Sequence, residues 1–404
     1  MTTQRIRFQS TEGTLDARLD MPAGTPRAYA LFAHCFTCSK DTIAASRISG
    51  ALADRGIAVF RFDFTGLGGS DGEFANTNFS SNIQDLLAAV DHLRGAGKTP
   101  SILIGHSLGG AAVLSAAAEI PETTAVVTIG APSDPSHVQH LFTNDIKDIV
   151  THGERQVMLA GRRFLIRKQF LEDIAEQKIL EKVRELNRAL LILHSPRDDM
   201  VNIEHARKIY EAALHPKSFI SLDRADHLLT RKEDAEYVAS LISAWATHYL
   251  AKFEKTTTPD DEPRTVAVCE AGDGKFAQHV VVGPHHLRGD EPVSHGGHDT
   301  GPSPYDLLLA ALGTCTSMTL RMYAEHKGLP LESVEVELSH GKIHASDCKE
   351  CETETGRIDK IDRIIRITGK LNDEQRKRLL EIADKCPVHK TLHSEVIVNT
   401  LYGE

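Results

Sequence analysis

The chain has 404 residues, 41% of them apolar and 25% charged, which fits two or three folded domains and excludes a disordered chain. Lys and Arg number 46 against 56 Asp and Glu, a net charge of −10, so nucleic acid and anionic membranes are disfavoured as partners. The N-terminus MTTQRIRFQS lacks the apolar run of a signal peptide and no spanning segment is read, while seven cysteines, an odd number in a long chain, fit a reducing cytoplasm.

Two alternating segments between Arg5 and Asp20 predict strands. After them β-rich runs alternate with helical patterns: AYALFAH, a helix near Asp41 to Arg55, IAVFRFD, a helix near Asn78 to Arg94, SILIGH, a helix from Leu108, and AVVTIGA. Repeated strand–helix alternation implies parallel strands joined by right-handed crossovers, an open α/β sheet. Between Ser133 and Arg188 the pattern becomes charged and helical, including RRFLIRKQFLEDIAEQKILEKVREL, which predicts a short helical cap inserted at 133–188. The strand ALLILHS resumes at Ala189, and KSFISL and a helix from Lys232 to Phe253 complete a first domain at 1–253.

Residues 254–263 are polar and aperiodic and read as a linker, leaving a smaller domain at 264–404. There the expected order is RTVAVCEAG and KFAQHVVVG as strands, then a Gly- and His-rich loop from His285 to Pro304. A strongly apolar helix from Tyr305 to about Lys327 follows, then strands VEVELSHGKIHA and KIDRIIRITG, a helix from Asp373 to Lys385 and a last strand SEVIVNT. Clustered strands with few helices suggest α+β.

The string Gly105-His106-Ser107-Leu108-Gly109 matches G-x-S-x-G directly after an apolar strand and opens a helix of small residues. Such a turn lifts Ser107 above a sheet and turns the Leu108 N–H toward an oxyanion. An acid and a base should follow at the ends of later strands, and Asp198 in HSPRDDMV, with Asp199 as fallback, and His227 stand in that order. The ordered residues resemble the α/β-hydrolase superfamily over roughly residues 1–253. The resemblance implies an α/β-hydrolase fold, Ser107 as nucleophile and a small ester or related acyl substrate, with no cofactor required. His34-Cys35-Phe36 stands where the family has a His-Gly-aromatic oxyanion loop, which makes the Phe36 N–H the second oxyanion donor. The run Phe62 to Ser70 resembles the family's FDxRGxGxSxG turn and reads as structural. His106 reads as a packing residue, and Cys35 and Cys38, though spaced C-x-x-C, as two unpaired thiols.

Cys315 lies on an apolar stripe with Leu308, Leu312, Met318 and Met322, where it is either core or a thiol in a pocket. Cys386 precedes Pro387, which predicts a helix start, a setting that favours thiolate character. GPSPYDLLLAALGTC and KCPVHKTL resemble the OsmC/Ohr family of thiol peroxidases over about residues 264–404. The resemblance implies Cys315 as peroxidatic thiolate and Cys386 as resolving thiol, with an organic hydroperoxide and a thiol reductant as partners, in an interlocked homodimer. Where the family carries a Glu ten residues before the first cysteine, this chain has Tyr305 followed by Asp306, and Arg288 is the candidate partner cation. His340, His344, Cys348 and Cys351 are spaced H-x3-H-x3-C-x2-C, which suits either a structural zinc or a solvated hairpin loop. The expected protein is therefore a serine hydrolase fused to a hydroperoxide-reducing thiol domain, the alternative being an esterase fused to a non-catalytic dimerisation or ligand-binding module.

Overall fold

The computed structural model describes residues 2–159, 161–250, 265–272, 274–283, 285–344 and 357–402, so the linker at 254–263 lies outside the described residues. Contacts divide the chain into Met1–Ala271 with His279–Leu287, and Gly272–Gln278 with Arg288–Glu404.

The first unit begins with β1 (Thr2–Ser10), β2 (Gly13–Met21), β3 (Ala28–Ala33), α1 (Ile43–Ala53), β4 (Ile57–Phe62), α2 (Phe79–Gly95), β5 (Ile102–His106), α3 (Leu108–Ala116) and β6 (Ala125–Ile129). After β6 come α4 (Ile146–His152), β7 (Glu154–Leu159), β8 (Arg162–Arg167), α5 (Lys168–Glu176) and α6 (Ile179–Arg184), then β9 (Ala189–His194), α7 (Glu204–Ala212), β10 (Lys217–Ser221) and α8 (Lys232–Ala246). Eight strands form one sheet in the order β1-β2-β4-β3-β5-β6-β9-β10. From β4 to β10 every pairing is parallel, and β1 and β2 add an antiparallel edge. The central strands β4, β5, β6 and β9 are buried along their whole length and mostly apolar because both faces are covered. Leu103 and Val126 point into one core with α2 and α3, and their neighbours Ile102, Ile104 and Val127 into the other with α1 and α8. The pairs Ala33 with Gly105, His106 with Ile129 and Ile129 with Leu193 end these strands at one level, so the loops after β3, β5, β6 and β9 meet above the same edge.

The inserted segment differs from the helical cap expected there. Arg162–Arg167 is strand β8, paired antiparallel with β7, and helix resumes only at Lys168. In RRFLIR three consecutive apolar residues, Phe164, Leu165 and Ile166, stand between arginines, a run too short to show a period beside the helical pattern that follows.

Beyond the first unit's α8 lie β11 (Val266–Glu270), β12 (Gln278–Val282) and β13 (His285–Gly289), one three-stranded sheet whose last strand occupies the start of the expected loop. They are followed by α9 (Pro304–Lys327), β14 (Leu331–His344), β15 (Arg357–Gly369), α10 (Asp373–Ala383) and α11 (Pro387–Leu392). Pro304 at the first helical position and reciprocal capping by Ser303 and Asp306 fix the start of α9, and Gly328 at φ 62° ends it. By length and composition α9 could cross a membrane; here it packs on β14, α10 and α11. Its Leu320 joins Leu379, Ile382 and Ala383 in a small core, while Met318 and Met322 stay exposed. The expected last strand is absent among the described residues. Val396 to Tyr402 carries no strand pairing, and Ile397 and Val398 are more than 80% exposed, since an extended segment without a neighbour leaves its ladder unsatisfied.

Candidate active site

Ser107 stands between β5 and α3 at φ 54° and ψ −124°, a backbone state an L-residue holds only when its surroundings impose it. The glycines supply that constraint. A Cβ at Gly109 would lie 2.3 Å from the Ala33 carbonyl oxygen, so only glycine lets α3 start this close to β3. The Ser107 hydroxyl donates to His227 Nε2 across 3.0 Å, and His227 Nδ1 donates to Asp198 Oδ2 across 2.7 Å. The other Asp198 oxygen accepts the Met200 and Val201 N–H groups at 3.0 and 2.8 Å. Burial pushes the Asp198 carboxyl up, but its hydrogen bonds to His227 and the Val201 N–H outweigh that and hold it below the usual carboxylate range. Asp199, the fallback, is exposed.

Three positioning groups escaped the sequence reading or were left there as packing. His106 Nε2 donates to the His227 carbonyl across 2.7 Å, fixing the loop that bears the base. His194 Nε2 donates to the Val201 carbonyl across 2.7 Å and closes the acid turn. Gly130, at φ 56°, leaves room for the pair, since a Cβ there would lie 3.1 Å from Asp198 Oδ2 and 3.3 Å from His227 Nδ1. None has a sequence signal beyond its place at a strand end.

Burial, with His227 nearby, pushes His106 down from 6.5 to about 4, and burial with His137 nearby pushes His205 down to about 4. The unfolded chain binds these two protons near 6.5 and the folded chain only near 4. Their contribution to stability is therefore complete above about 6.5 and is lost as pH falls toward 4. The thermal unfolding midpoint is expected to drop between about pH 7.5 and about pH 5, and His106→Gln, which keeps an N–H donor, to shrink that drop.

The loop after β3, which contains Phe36, is anchored by charge. Buried Lys40 reaches Asp63 at 2.6 Å and Asp16 at 2.8 Å, its own N–H donates to Asp63 at 2.6 Å, and the Gly69 N–H donates to the other Asp63 oxygen at 2.8 Å. The Phe62 to Ser70 turn thus serves the site by holding the loop that contains Phe36. Phe36 itself packs against Phe170 and Phe74, and Phe74 against Phe164. Cys35 and Cys38 are not unpaired thiols, for the structure joins them in a disulfide. C-x-x-C spacing permits either state, and the tight turn closed by Cys38 N–H to the Cys35 carbonyl brings the sulfurs together.

In the second unit Cys386 is the N-cap of α11 with Pro387 after it, as expected, and its buried Sγ accepts the His389 N–H at 3.3 Å. Its Sγ lies 3.6 Å from Thr316 Oγ1, one residue past the half-buried Cys315. Arg363 of β15 donates to Thr316 Oγ1 across 3.0 Å and pairs with Asp384 at 2.5 Å. Arg288 donates to Thr300, and Asp306 is the third residue of α9 and completes the capping box with the N-cap Ser303, its carboxylate accepting from the Ser303 hydroxyl and N–H. Tyr305 stacks on His340 at 4.2 Å, and His340 Nε2 is bonded to Asp359 at 2.9 Å. Of the H-x3-H-x3-C-x2-C set, the His344 side chain, Cys348 and Cys351 lie outside the described residues.

Comparison with known proteins finds two separate matches along the chain. Residues 24–158 match the family described as serine aminopeptidase, S33, and residues 297–400 the family described as OsmC-like protein. The mitochondrial palmitoyl-protein thioesterase ABHD10 of Mus musculus is 27% identical over 186 residues, 44% of this chain and 62% of that protein. That of Homo sapiens is 23% identical over 200 residues, so the chain spans about 62% of the length of these curated relatives. Among solved structures, mouse α/β hydrolase domain-containing protein 10 shares the fold, with a TM-score of 0.51 and 22% identity over 61% of this chain and 99% of that one. The esterase domain of a Rhodothermus marinus protein is 48% identical, with a TM-score of 0.52, covering 62% of this chain and all of that one. Identity of that order across a whole solved esterase domain extends the likeness past the fold, and the chain belongs to the α/β-hydrolase superfamily, with an OsmC-like domain at residues 297–400.

Proposed function

We propose that the first domain is a serine hydrolase acting on a small ester or related acyl substrate, and the observation that carries this is the hydrogen-bonded series Asp198, His227, Ser107. Ser107 Oγ attacks the acyl carbon while His227 Nε2 takes its proton, and Asp198 stabilises the imidazolium through Nδ1–H. The Leu108 and Phe36 N–H groups receive the tetrahedral oxyanion. Its collapse expels the alkoxide, which takes the proton from His227. Water, deprotonated by the same imidazole, then releases the acid and restores Ser107. Apart from the water, each group in these proposed steps is a side chain or amide of this chain. The aromatic cluster around Phe36 suits an apolar acyl group, and the thioesterase names of the relatives put thioesters beside esters in the assay. A fluorophosphonate is expected to label Ser107, and a chain-length panel of esters and thioesters to define the acyl group; labelling elsewhere overturns the reading.

For the OsmC-like domain we propose organic hydroperoxide reduction. The Cys315 thiolate attacks the peroxide O–O bond, becoming a sulfenate as the alcohol leaves. The Cys386 thiol condenses with it to a disulfide and water, and a thiol reductant reduces that disulfide. Arg363, hydrogen-bonded to Thr316 beside both cysteines, supports thiol chemistry here. Hydroperoxide treatment of the full chain is expected to yield a linked Cys315–Cys386 peptide by mass spectrometry, and Cys386→Ser to accumulate Cys315 sulfenate. Cys315 left reduced favours the second reading, a non-catalytic dimerisation module. Exposed Met318, Met322 and the apolar segment Val396 to Tyr402 support a homodimer under either reading, with sedimentation as its test. A cytoplasmic setting is likewise proposed. Zinc at His340, His344, Cys348 and Cys351 is a separate proposal for that loop. Near-stoichiometric zinc lost in Cys348→Ser carries it, and folded, metal-free protein overturns it.

A further inference from the structure

The oxyanion loop contains a covalent bond that acyl transfer itself does not use. Cys35 and Cys38 are joined with their Cα atoms 5.4 Å apart, and the residues they enclose are Phe36, whose N–H is the proposed second oxyanion donor, and Thr37. Thr37 sits at φ 61°, a conformation β-branched residues avoid and hold only where the surroundings over-determine it. Those surroundings are specific. The Cys35 carbonyl accepts from His34 Nδ1 at 2.8 Å, the Thr37 carbonyl accepts from the Arg162 guanidinium on β8, and Lys40 is tied to Asp63 and Asp16. The disulfide closes the stretch between these anchors, where the donor lies. Cys35 is buried, whereas Cys38 is partly open to solvent and so to a reductant. In a reducing compartment a disulfide so placed is of the transient, regulatory kind.

We propose that the Cys35–Cys38 disulfide is a redox-responsive brace of the oxyanion hole: closed, it keeps the Phe36 N–H aimed at the oxyanion, and opened by a dithiol it lets the loop relax and slows acyl transfer. The proposal rests on the serine-hydrolase reading. One thiolate of the dithiol attacks Cys38 Sγ, forming a mixed disulfide and releasing Cys35 as a thiolate that takes up a proton. The second thiol of the reductant closes the reductant's own disulfide and frees Cys38. Two electrons and two protons pass to the loop, and a low-molecular-weight disulfide reverses the exchange. The disulfide and Thr37 act here as positioning elements for the Phe36 N–H, so the effect falls on the rate of the chemical step.

The test is p-nitrophenyl acetate hydrolysis by the full chain, oxidised or reduced with dithiothreitol, with the state of the pair read by differential alkylation and mass spectrometry. Reduction is expected to lower kcat at least about tenfold, short of the about 10²–10³ lost when a donor is deleted, with KM little changed and recovery on adding oxidised glutathione. Cys35→Ser/Cys38→Ser is expected to sit at the lower kcat and ignore dithiothreitol, which assigns the response to this pair and not to the other cysteines. Should that variant not fold, the reversible change in the unaltered chain still decides. Ser107→Ala active at the normal rate defeats the underlying hydrolase reading. An inactive Ser107→Ala alongside unchanged kcat in verified reduced protein overturns the brace alone. So does a double variant that still responds to dithiothreitol, or a pair that never oxidises.

Discussion

Ser107→Ala is expected to reduce ester turnover by about 10⁶, the scale on which removing the serine of a catalytic triad acts. The loss is so large because nucleophile, base and acid work as one unit, and the His227 ring aligned at 3.0 Å has nothing to deprotonate once the hydroxyl is gone. Asp198→Asn is expected to cost about 10⁴, because an amide no longer stabilises the imidazolium and favours the wrong tautomer. Asp199→Asn should leave kcat near its normal value, since that side chain faces solvent. Steady-state kinetics on one ester, with circular dichroism to verify folding, checks all three.

Lys40→Met is expected to destabilise the first domain by about 3–5 kcal/mol, the usual consequence of removing one partner from a buried ionic cluster. Lys40 is 4% exposed and Asp63 fully buried, so deleting the ammonium leaves the Asp63 carboxylate facing Asp16 with its compensating charge gone. At roughly 2–4 °C per kcal/mol for a domain of this size, the unfolding midpoint should drop by about 10 °C. Arg5→Met removes a contact to the same Asp16 from an arginine whose side chain is 70% exposed, and less than about 1 kcal/mol is expected there. Ester turnover should fall with Lys40→Met even below the midpoint, because Lys40 and Asp63 hold the oxyanion loop.

Much of the hydrolase domain was legible in the sequence because its signals are local and ordered. The short strands that end at G-x-S-x-G, at the Asp198 turn and before His227 carry ILI, ALLIL and KSFIS, and a parallel sheet brings their ends to one edge. Strand β8 is hard to read because the three consecutive apolar residues of RRFLIR, between three arginines, satisfy either period when helix follows at once. Long-range partners were illegible for a different reason. Arg363 meets Thr316 across 47 positions and His106 meets the His227 carbonyl across 121, and no spacing rule links them. The Cys35–Cys38 bond was misjudged because C-x-x-C specifies proximity while backbone conformation decides whether the sulfurs join. The final segment has strand alternation, but a strand also needs a neighbour, and that information is not local.

The central claim, acyl transfer through Ser107, is tested most directly by quenching the full chain in acid during turnover of a p-nitrophenyl ester and sequencing its peptides by mass spectrometry. The acyl group is expected on Ser107 in unaltered protein, preceded by a burst of p-nitrophenol and accumulating further when deacylation is slow. An acyl adduct on a cysteine, or steady turnover with a stoichiometric burst and an unmodified Ser107, would contradict it.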